Sequence, residues 1–330
     1  MQMNKVIAFF FFLFSQYVFS QESQVKRGLS LMGCSFEITV VAKNVESGNN
    51  YIDLAVSEIQ RIEKLISSWD TASQTSEIIR QAGIKPVKVD KELFDLIERA
   101  LRISSLTEGA FDISYASMDN LWKFDGSMKH LPPADLIKES HGKVGYENII
   151  LDNENHTVFL KKKGMKIGFG GIGKGYAADK TKTFLQKLGV VAGVINASGD
   201  ITAWGKQPSG ENWKVGIKNP KNIEKAFSWL QINNEAVVTS GNYEKYVLFN
   251  GKRYSHIIDP RTGFPSSGIL SVTIICKSAE LADALATSVF VMGIETGIDF
   301  INQLKGIECV IVDEELKLHY SNKLNLNFYK

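Results

Sequence analysis

The stretch from Arg253 to Gly293 constrains the fold of this chain more than any other. Within it, residues 270–276 (LSVTIIC) are mostly apolar and rich in β-branched side chains, which predicts a buried strand. Ser278 is a suitable N-cap for a helix that we predict to run to about Met292, where Gly293 would end it. Because this helix is apolar on nearly all sides, the rest of the chain must cover it.

The predicted helix carries two polar residues on one face, Asp283 and Thr287, which are four positions apart. A buried carboxylate is costly unless it is paired or binds a metal, and two oxygen ligands on one face suit a hard cation such as Mg²⁺. The alternative is structural: Asp283 pairs with a lysine or arginine of the core, while Thr287 bonds to a carbonyl. From the helix alone, both interpretations remain open.

A histidine and a turn precede the buried strand. Residues 255–258 (SHII) form a short apolar run that carries His256, and residues 259–263 (DPRTG) break it. Proline fixes its own φ and glycine permits a positive φ, so the second segment predicts a tight turn. A single histidine in an apolar run is more often a core residue than a catalytic one, so the pattern alone assigns His256 no function.

Composition places the chain among ordinary globular proteins. Its 330 residues are 44% hydrophobic and 22% charged, and the net charge of +2 predicts no nucleic-acid surface. Three cysteines form neither an even disulfide framework nor a metal-binding spacing. No linker rich in Pro, Gly or Ser divides the chain, so we predict one compact α+β unit over residues 21–330, with mixed sheets, packed helices and room for two lobes.

The N-terminus has the features of a secretory signal peptide over residues 1–20. Lys5 precedes a short apolar run at residues 6–14, and Ser20 ends a suitable cleavage site. We therefore predict an exported, periplasmic protein that begins near Gln21. The LMGC segment that ends at Cys34 looks like a lipidation site but lies far beyond the apolar run, so we predict no lipid anchor there.

Periodicity predicts the remaining elements. Apolar residues at helical spacing indicate three helices, and β-branched or alternating segments indicate strands. The predicted helices are residues 51–68, 91–107 and 176–188; the predicted strands are 35–42, 165–167, 190–195 and a closing pair at 308–312 and 316–320; residues 71–77 are predicted to be a polar loop.

Residues 168–175 (GFGGIGKG) imitate two nucleotide-binding motifs without completing either. The phosphate-loop pattern fails at Gly175, where a Ser or Thr should stand, and the dinucleotide pattern lacks an acid about 20 residues on, because Asp200 lies farther away in a turn. The shared physics still applies, since glycine-rich backbone before a helix exposes amides to an anion and Lys174 adds charge. We therefore predict a pyrophosphate site, with the amides of Gly170 to Lys174 around the anion.

These segments together resemble the ApbE family, the exported FAD:protein FMN transferases. The resemblance covers residues 30 to about 320 and is therefore nearly complete over the predicted mature chain. In order along the chain, the matching segments are Met32-Gly33, Gly109-Ala110-Phe111-Asp112, residues 170–176 (GGIGKGY), Asn196 with Gly199-Asp200, Thr239-Ser240-Gly241, residues 255–263 and residues 282–287 (ADALAT).

The resemblance implies roles for individual residues. It implies FAD contacts from Met32, Trp69, Ala110, Phe111, Asp112, Lys174 and Ile257, and a Mg²⁺ site made by Asp283, Thr287 and the backbone oxygen of Gly171. His256 is the candidate catalytic base, because imidazole titrates near neutral pH, and Asp259 or Asp200 could take that role instead. One departure is Gly168, where the family often carries an acid that contacts the flavin nucleotide.

The implied activity is Mg²⁺-dependent transfer of FMN from FAD to a threonine hydroxyl of an exported acceptor protein, with release of AMP. The implied acceptor is a subunit of an electron-transfer or ion-pumping complex, and the enzyme would contact the membrane only through it. Two alternatives remain open from the sequence. One is a FAD pyrophosphatase that releases FMN and AMP, and the other is a flavin-binding protein without catalysis.

Overall fold

An eight-stranded antiparallel sheet forms the centre of the protein. The computed structural model describes residues 22–118, 121–124, 127–128, 130–219, 222–242, 246–249 and 252–324, so the predicted signal peptide lies outside the described residues. The strands are β1 (Ser23–Leu31), β2 (Cys34–Ala42), β3 (Val87–Lys88), β4 (Ile149–Asp152), β5 (Thr157–Leu160), β6 (Gly193–Ala197), β7 (Asp200–Trp204), β8 (Trp213–Asn219), β9 (Asn222–Ile232), β10 (Ala236–Gly241), β11 (Tyr246–Phe249), β12 (Lys252–Ser255), β13 (Ile269–Cys276), β14 (Glu308–Asp313) and β15 (Leu318–Tyr320). The central sheet has the order β1-β2-β6-β7-β10-β13-β14-β15.

Seven helices accompany the strands in the described part of the chain. They are α1 (Val45–Ile66), α2 (Gln74–Arg80), α3 (Lys91–Leu106), α4 (Ala134–His141), α5 (Gly173–Lys187), α6 (Ala279–Met292) and α7 (Ile294–Gln303). Helix α6 lies against β10 and β13, α5 against β6 and β7, and α1 against β1 and β2, so one layer of helices covers the sheet. The predicted α+β class is confirmed. No helix among the described residues is long and apolar enough to cross a membrane.

The two largest hydrophobic clusters of the described residues both include side chains of α1. Its residues Ile52 and Ile59 pack between the helices and the central sheet, whereas Ile62 packs with α2, α3 and the small sheet β3-β5-β4. The apolar faces of α6 are buried, as its sequence predicted, with Leu285 and Phe290 fully covered. A cleft lies between the sheet and the segment at 165–175.

Local capping explains the helix boundaries. Ser278 caps α6 by accepting the Leu281 amide hydrogen bond at 3.2 Å, and Gly293 ends the helix at a φ of 87°, both as predicted. Helix α1 begins at Val45 rather than residue 51, because Asn44 and Ser47 form a capping box. The prediction of a polar loop over residues 71–77 was wrong in its second half, because Ser73 caps α2 through the Ser76 amide.

The short strand predicted at residues 165–167 is also absent from the described structure. That segment bonds to the 3₁₀-helix Ile113–Met118 instead of to a strand. The Lys166 amide donates to the Ser117 hydroxyl oxygen at 2.8 Å, and the Gly168 amide donates to the Ile113 carbonyl at 2.9 Å. A side-chain acceptor and a helical turn satisfied these amides, which periodicity could not indicate.

Candidate active site

Two adjoining cavities open into the cleft. One has a volume of about 380 Å³ and the other about 650 Å³. Four residues line both cavities and therefore mark where they meet: Tyr115, Gly170, Lys174 and Ile258. A ligand with two ends joined by a polar centre could occupy both cavities with its centre beside Lys174.

Most residues that the sequence assigned to the site border these cavities. Those in the first cavity are Ala110, Phe111, Asp112, Gly171, Lys174, His256, Ile257, Asp283 and Thr287, and those in the second are Met32, Trp69 and Lys174. Asp259 borders neither cavity, although its neighbours Ile258 and Pro260 do. Trp69 is 84% exposed and so stands at the rim with its ring open to solvent.

Gly175 allows α5 to begin directly against α6. A Cβ atom on this residue would lie 2.1 Å from the Ala279 carbonyl oxygen and 2.9 Å from the Asp283 Cβ, so only glycine fits. The close approach lets the Gly175 amide donate to Asp283 Oδ2 at 3.1 Å. The start of α5 thus holds one oxygen of the Asp283 carboxylate, where the positive end of the helix dipole favours it.

Lys174 faces two buried carboxylates. Its ammonium nitrogen lies 2.5 Å from Asp200 Oδ2 and 3.6 Å from Asp283 Oδ1, and the two acid side chains are only 2% and 3% exposed. Burial opposes the charged ammonium, but Asp200 and Asp283 outweigh it and raise the pKa of Lys174. Burial, and then the nearby charge of Asp283, raise the pKa of Asp200 well above its ordinary value. We call Lys174, Asp200 and Asp283 the cleft cluster.

A glycine turn brings Asp200 into the cleft cluster. Ser198 and Gly199 both adopt positive φ angles, of 54° and 104°, and Asn196 accepts the Gly199 amide at 2.9 Å. Asp200 then begins β7 with its carboxylate directed at Lys174. From the sequence, Asp200 was only a candidate base in a turn. No neighbouring residue indicated that Asp200 would lie closer to Lys174 than Asp283 does.

Thr287 and Gly171 bring further oxygen-bearing groups to the same place. A Cβ on Gly171 would lie 3.1 Å from Thr287 Oγ1 and 3.4 Å from the Phe111 ring. Gly171 and the Thr287 hydroxyl therefore lie close together in the first cavity, with little room for a side chain at Gly171. No cluster of three or more His, Cys, Asp or Glu side chains occurs among the described residues, so any cation here needs hydroxyl or backbone ligands as well.

The oxygen donors of this corner fit a hard divalent cation. Asp283, Thr287 and the Gly171 backbone supply a carboxylate, a hydroxyl and a carbonyl, which are the ligand types that Mg²⁺ accepts. Two nearly buried acid side chains share one ammonium, and a divalent cation would stabilise the ionised form of both acids. The pairing of Asp283 with a lysine, considered above as the structural alternative, is thus present beside three oxygen-bearing groups of the kind that Mg²⁺ accepts.

The glycine loop offers an anion fewer amides than its sequence predicted. The Ile172 and Gly173 amides both donate to the Phe169 carbonyl, at 3.2 and 2.7 Å, because α5 begins at Gly173 and not at residue 176. A Cβ on Gly170 would lie 2.4 Å from the Tyr115 hydroxyl, so that amide also lies against protein. The expected cradle of five amides is therefore wrong in part, and the charge of Lys174 becomes the main feature for binding an anion.

His256 and Asp259 have different surroundings. His256 is exposed at the first cavity, and its ring lies edge-on to Phe124 with centroids 6.4 Å apart. Both carboxylate oxygens of Asp259 accept from Arg261, at 2.9 Å each, and Asp259 Oδ1 also accepts the Arg261 amide. The structure brings His256 to the cavity and uses Asp259 to hold the turn.

Asp112 and Tyr115 shape the wall of the first cavity. Asp112 is 4% exposed and accepts the Ser114 and Tyr146 amides at 2.7 and 2.8 Å, and burial raises its pKa. Its carboxylate therefore ties two segments together. Tyr115 borders both cavities, and burial, then the charge of Asp283, raise the pKa of its phenol. No sequence pattern indicated Tyr115, because a tyrosine after an ordinary turn belongs to no motif.

Comparisons with known proteins match nearly the whole chain to one family. The ApbE family profile matches residues 32–311. A protein of Klebsiella pneumoniae (strain 342) named FAD:protein FMN transferase is 32% identical over 272 residues, which cover 82% of this chain and 84% of that protein. A protein of the same name from Treponema pallidum is 31% identical, covering 80% and 77%. The crystal structure of the ApbE protein of Thermotoga maritima superposes with a TM-score of 0.83 at 31% identity, covering 91% of this chain and 97% of that one. The flavin transferase ApbE of Vibrio cholerae superposes with a TM-score of 0.80 at 25% identity, covering 91% and 98%.

Proposed function

This chain belongs to the ApbE family and is an FAD:protein FMN transferase, and from that premise we propose a Mg²⁺-dependent transfer to a threonine hydroxyl, with release of AMP. The observation that carries the proposal is the cleft cluster, whose Lys174 lies where the two cavities meet. There a cation-binding set of oxygens and a lysine stand beside space for both ends of a dinucleotide.

The arrangement of the cavities supports a position for FAD. We place the pyrophosphate beside Lys174, since this ammonium borders both cavities. Each cavity has an aromatic side chain at its wall or rim, Phe111 in the first and Trp69 in the second, and either face suits a flat ring system. The flavin and the adenine would then lie on opposite sides of Lys174.

In the proposed reaction, the threonine oxygen of the acceptor attacks the phosphorus on the FMN side of the pyrophosphate. A new phosphorus–oxygen bond forms to threonine while the bond to the bridging oxygen breaks, and AMP leaves with that oxygen. His256, which is exposed at the first cavity, would accept the threonine proton. Lys174 would offset negative charge on the pyrophosphate.

Asp283, Thr287 and the Gly171 carbonyl are the residues that would hold Mg²⁺. When bound, the ion supplies electrostatic stabilisation of the charge that develops on the phosphate oxygens. The protein's own part is to keep these donors in place. Gly175 does so for Asp283, because its amide fixes one carboxylate oxygen and its missing side chain allows the two helices to touch.

The direct test is transfer to a defined acceptor. The purified protein is incubated with FAD, MgCl₂ and an acceptor domain that carries one target threonine, and the acceptor is weighed by intact-mass spectrometry. We expect an added FMN phosphoester on the acceptor and none on its Thr→Val variant. Release of free FMN and AMP without a labelled acceptor would instead identify a FAD pyrophosphatase, and unchanged FAD would identify a flavin-binding protein.

The role of His256 has its own test. His256→Gln should slow transfer by about 100-fold, the low end for loss of a general base, while FAD affinity stays the same. Asp259→Asn is the matched comparison, since it lies three residues away and removes the partner of Arg261. Asp259→Asn should lower the thermal unfolding temperature and have little effect on the rate of FMN transfer. A His256 variant with normal transfer would exclude this residue as the base.

We also propose that the protein is exported to the periplasm and serves an exported acceptor of an electron-transfer or ion-pumping complex. The predicted signal peptide at residues 1–20 supports export. Cys34 opens β2 and lines the first cavity, behind nine residues of β1, which supports the absence of a lipid anchor there. N-terminal sequencing of the mature protein should begin near Gln21, and a lipid on Cys34 would contradict the proposal.

A further inference from the structure

Lys174 occupies the position of a cation between the carboxylates of the cleft cluster. We propose that its ammonium, which also pairs with Asp200, is a built-in counter-ion that competes with Mg²⁺ for the Asp283 carboxylate, and that FAD relieves this competition by drawing Lys174 to its pyrophosphate. The inference rests on the proposed function and deepens it. It makes metal binding and FAD binding cooperative, with Lys174 as the coupling residue.

The geometry of Asp283 gives the competition its basis. Its Oδ2 atom accepts the Gly175 amide at 3.1 Å, so Oδ1 is the oxygen left for a cation. That oxygen faces Lys174 Nζ at 3.6 Å. The same ammonium donates to Asp200 Oδ2 at 2.5 Å. A divalent ion that binds Asp283 Oδ1 must therefore share this oxygen with Lys174 or displace the ammonium.

The charges explain why FAD would shift the balance. With both acids ionised, the cluster carries one excess negative charge, which a divalent ion converts to one excess positive charge. A buried site tolerates neither state well unless further groups compensate it. The pyrophosphate of FAD brings negative charge to the same place, so it stabilises the state that holds Lys174 and Mg²⁺ together. By thermodynamic linkage, Mg²⁺ must favour FAD as much as FAD favours Mg²⁺.

Lys174 has the freedom that this role requires. Its side chain is 30% exposed and borders both cavities, whereas its backbone is fixed at the start of α5 by the contact of Gly175 with Ala279. A lysine has a flexible four-carbon stem that ends in a point charge. The ammonium can thus move from the carboxylates toward a phosphate without any movement of the helix.

The decisive measurement is the affinity for MgCl₂ without FAD, by isothermal titration calorimetry of the full mature chain. Lys174→Gln removes the competing charge, so it should bind MgCl₂ about 10- to 100-fold more tightly than wild type, while its FAD affinity falls. The control is Lys182→Gln on the same helix. Lys182 contacts the Thr202 hydroxyl and the Ala203 carbonyl, at 3.5 and 3.4 Å, and should leave MgCl₂ affinity unchanged.

A second variant acts from the opposite side. Asp200→Asn removes the nearer partner of Lys174, so the ammonium should move onto Asp283 and weaken MgCl₂ binding about 10-fold or more. Tighter or unchanged binding would overturn the inference. A folded Lys174→Gln protein that binds MgCl₂ no better than wild type would also overturn it. If Lys174→Gln does not fold, the result for Asp200→Asn decides.

The wild-type protein separates this inference from the proposed function. If it transfers FMN only with MgCl₂ present, but both variants keep wild-type metal affinity, then the competition by Lys174 is wrong and the transferase proposal stands. If wild type binds no MgCl₂ and transfers FMN equally well in EDTA, the metal-dependent mechanism fails, and the inference falls with it.

Discussion

Helix α5 takes part in two charged clusters that have different compositions. The cleft cluster contains Lys174, Asp200 and Asp283. The second, which we call the outer cluster, contains Arg61, Glu92, Tyr176 and Lys180. In the outer cluster, Glu92 accepts from Arg61 and Tyr176 and lies 3.2 Å from Lys180, and Arg61 also pairs with Glu58, so acids and cations are equal in number. In the cleft, acids outnumber the cation and are almost completely buried.

The contrast shows what each cluster does for the protein. The side chains of Arg61 and Lys180 are 46% and 43% exposed, so solvent screens their charges and the outer cluster joins α1, α3 and α5 at modest benefit. Burial of two acids around one lysine does not stabilise a fold, because each carboxylate loses its hydration. The cleft cluster therefore indicates function, and four predictions test the distinction.

The largest effect is expected from Asp283→Asn. Asparagine keeps the shape and can still accept the Gly175 amide, but it removes the charge that a divalent cation needs. Transfer to an acceptor, measured by intact mass, should fall about 1,000-fold or more, because a bound metal contributes several kcal/mol to the transition state. Glu92→Gln, the equivalent change in the outer cluster, should retain full activity. Equal losses in both variants would remove the distinction between the clusters.

Lys174→Ala should have the next largest effect. A charge-assisted contact with phosphate is worth about 1.5–3 kcal/mol, so FAD affinity should fall about 10- to 150-fold. Riboflavin lacks phosphate, so its weaker binding should hardly change, and Lys174→Arg should keep part of the affinity for FAD. Calorimetry with both ligands measures this, with Lys180→Ala as the outer control. A parallel loss of riboflavin affinity would place Lys174 in the ring pocket or the fold instead.

In the outer cluster, Glu92→Gln should change stability and not activity. Burial disfavours the Glu92 carboxylate, but hydrogen bonds from Arg61 and Tyr176 outweigh it and lower its pKa from 4.5 to about 2. The charged form therefore stabilises the fold at neutral pH by about 1–2 kcal/mol after allowance for solvent screening. This contribution is complete above pH 4.5 and is lost as the pH falls toward 2. Urea unfolding of wild type and Glu92→Gln at pH 7 and pH 2.5 measures this effect. The difference between their free energies of unfolding should be smaller at pH 2.5, and a difference that does not change with pH would contradict the prediction.

The smallest effect is expected at an exposed pair of α3. Arg102 donates to Glu98 at 2.9 Å, four residues apart on the helix surface, and its side chain is 72% exposed. Glu98→Gln should cost about 0.3–0.5 kcal/mol of unfolding free energy, and 1 M salt should remove most of it. Thermal unfolding at two salt concentrations tests this lower limit. A loss of stability as large as that of Glu92→Gln would show that the exposure of an ion pair does not determine how much it stabilises the fold.

Local chemistry in the sequence predicted much of the fold. Helix α6 begins at Ser278 and ends at Gly293 as expected, because a capping hydroxyl and a glycine with positive φ act on adjacent backbone. The sequence also predicted that this helix is buried, because it is apolar on nearly all sides. Every family motif contributes to the cleft, although some of its residues do not line a cavity. Asp259 is one of these, because Arg261 two residues on binds its carboxylate.

The sequence by itself thus determined the class of fold, the buried helix and the family. Only the tertiary structure decided that Lys174, Asp200 and Asp283 form one cluster. Asp200 and Asp283 lie 26 and 109 positions from Lys174 along the chain. The tertiary structure also decided that the segment at 165–167 bonds to a 3₁₀-helix instead of a strand. The physical reason is the same in both cases. Caps, turns and periodicity act between neighbours in sequence, whereas the pairing of a buried charge depends on which distant groups the packed core brings within a few ångströms.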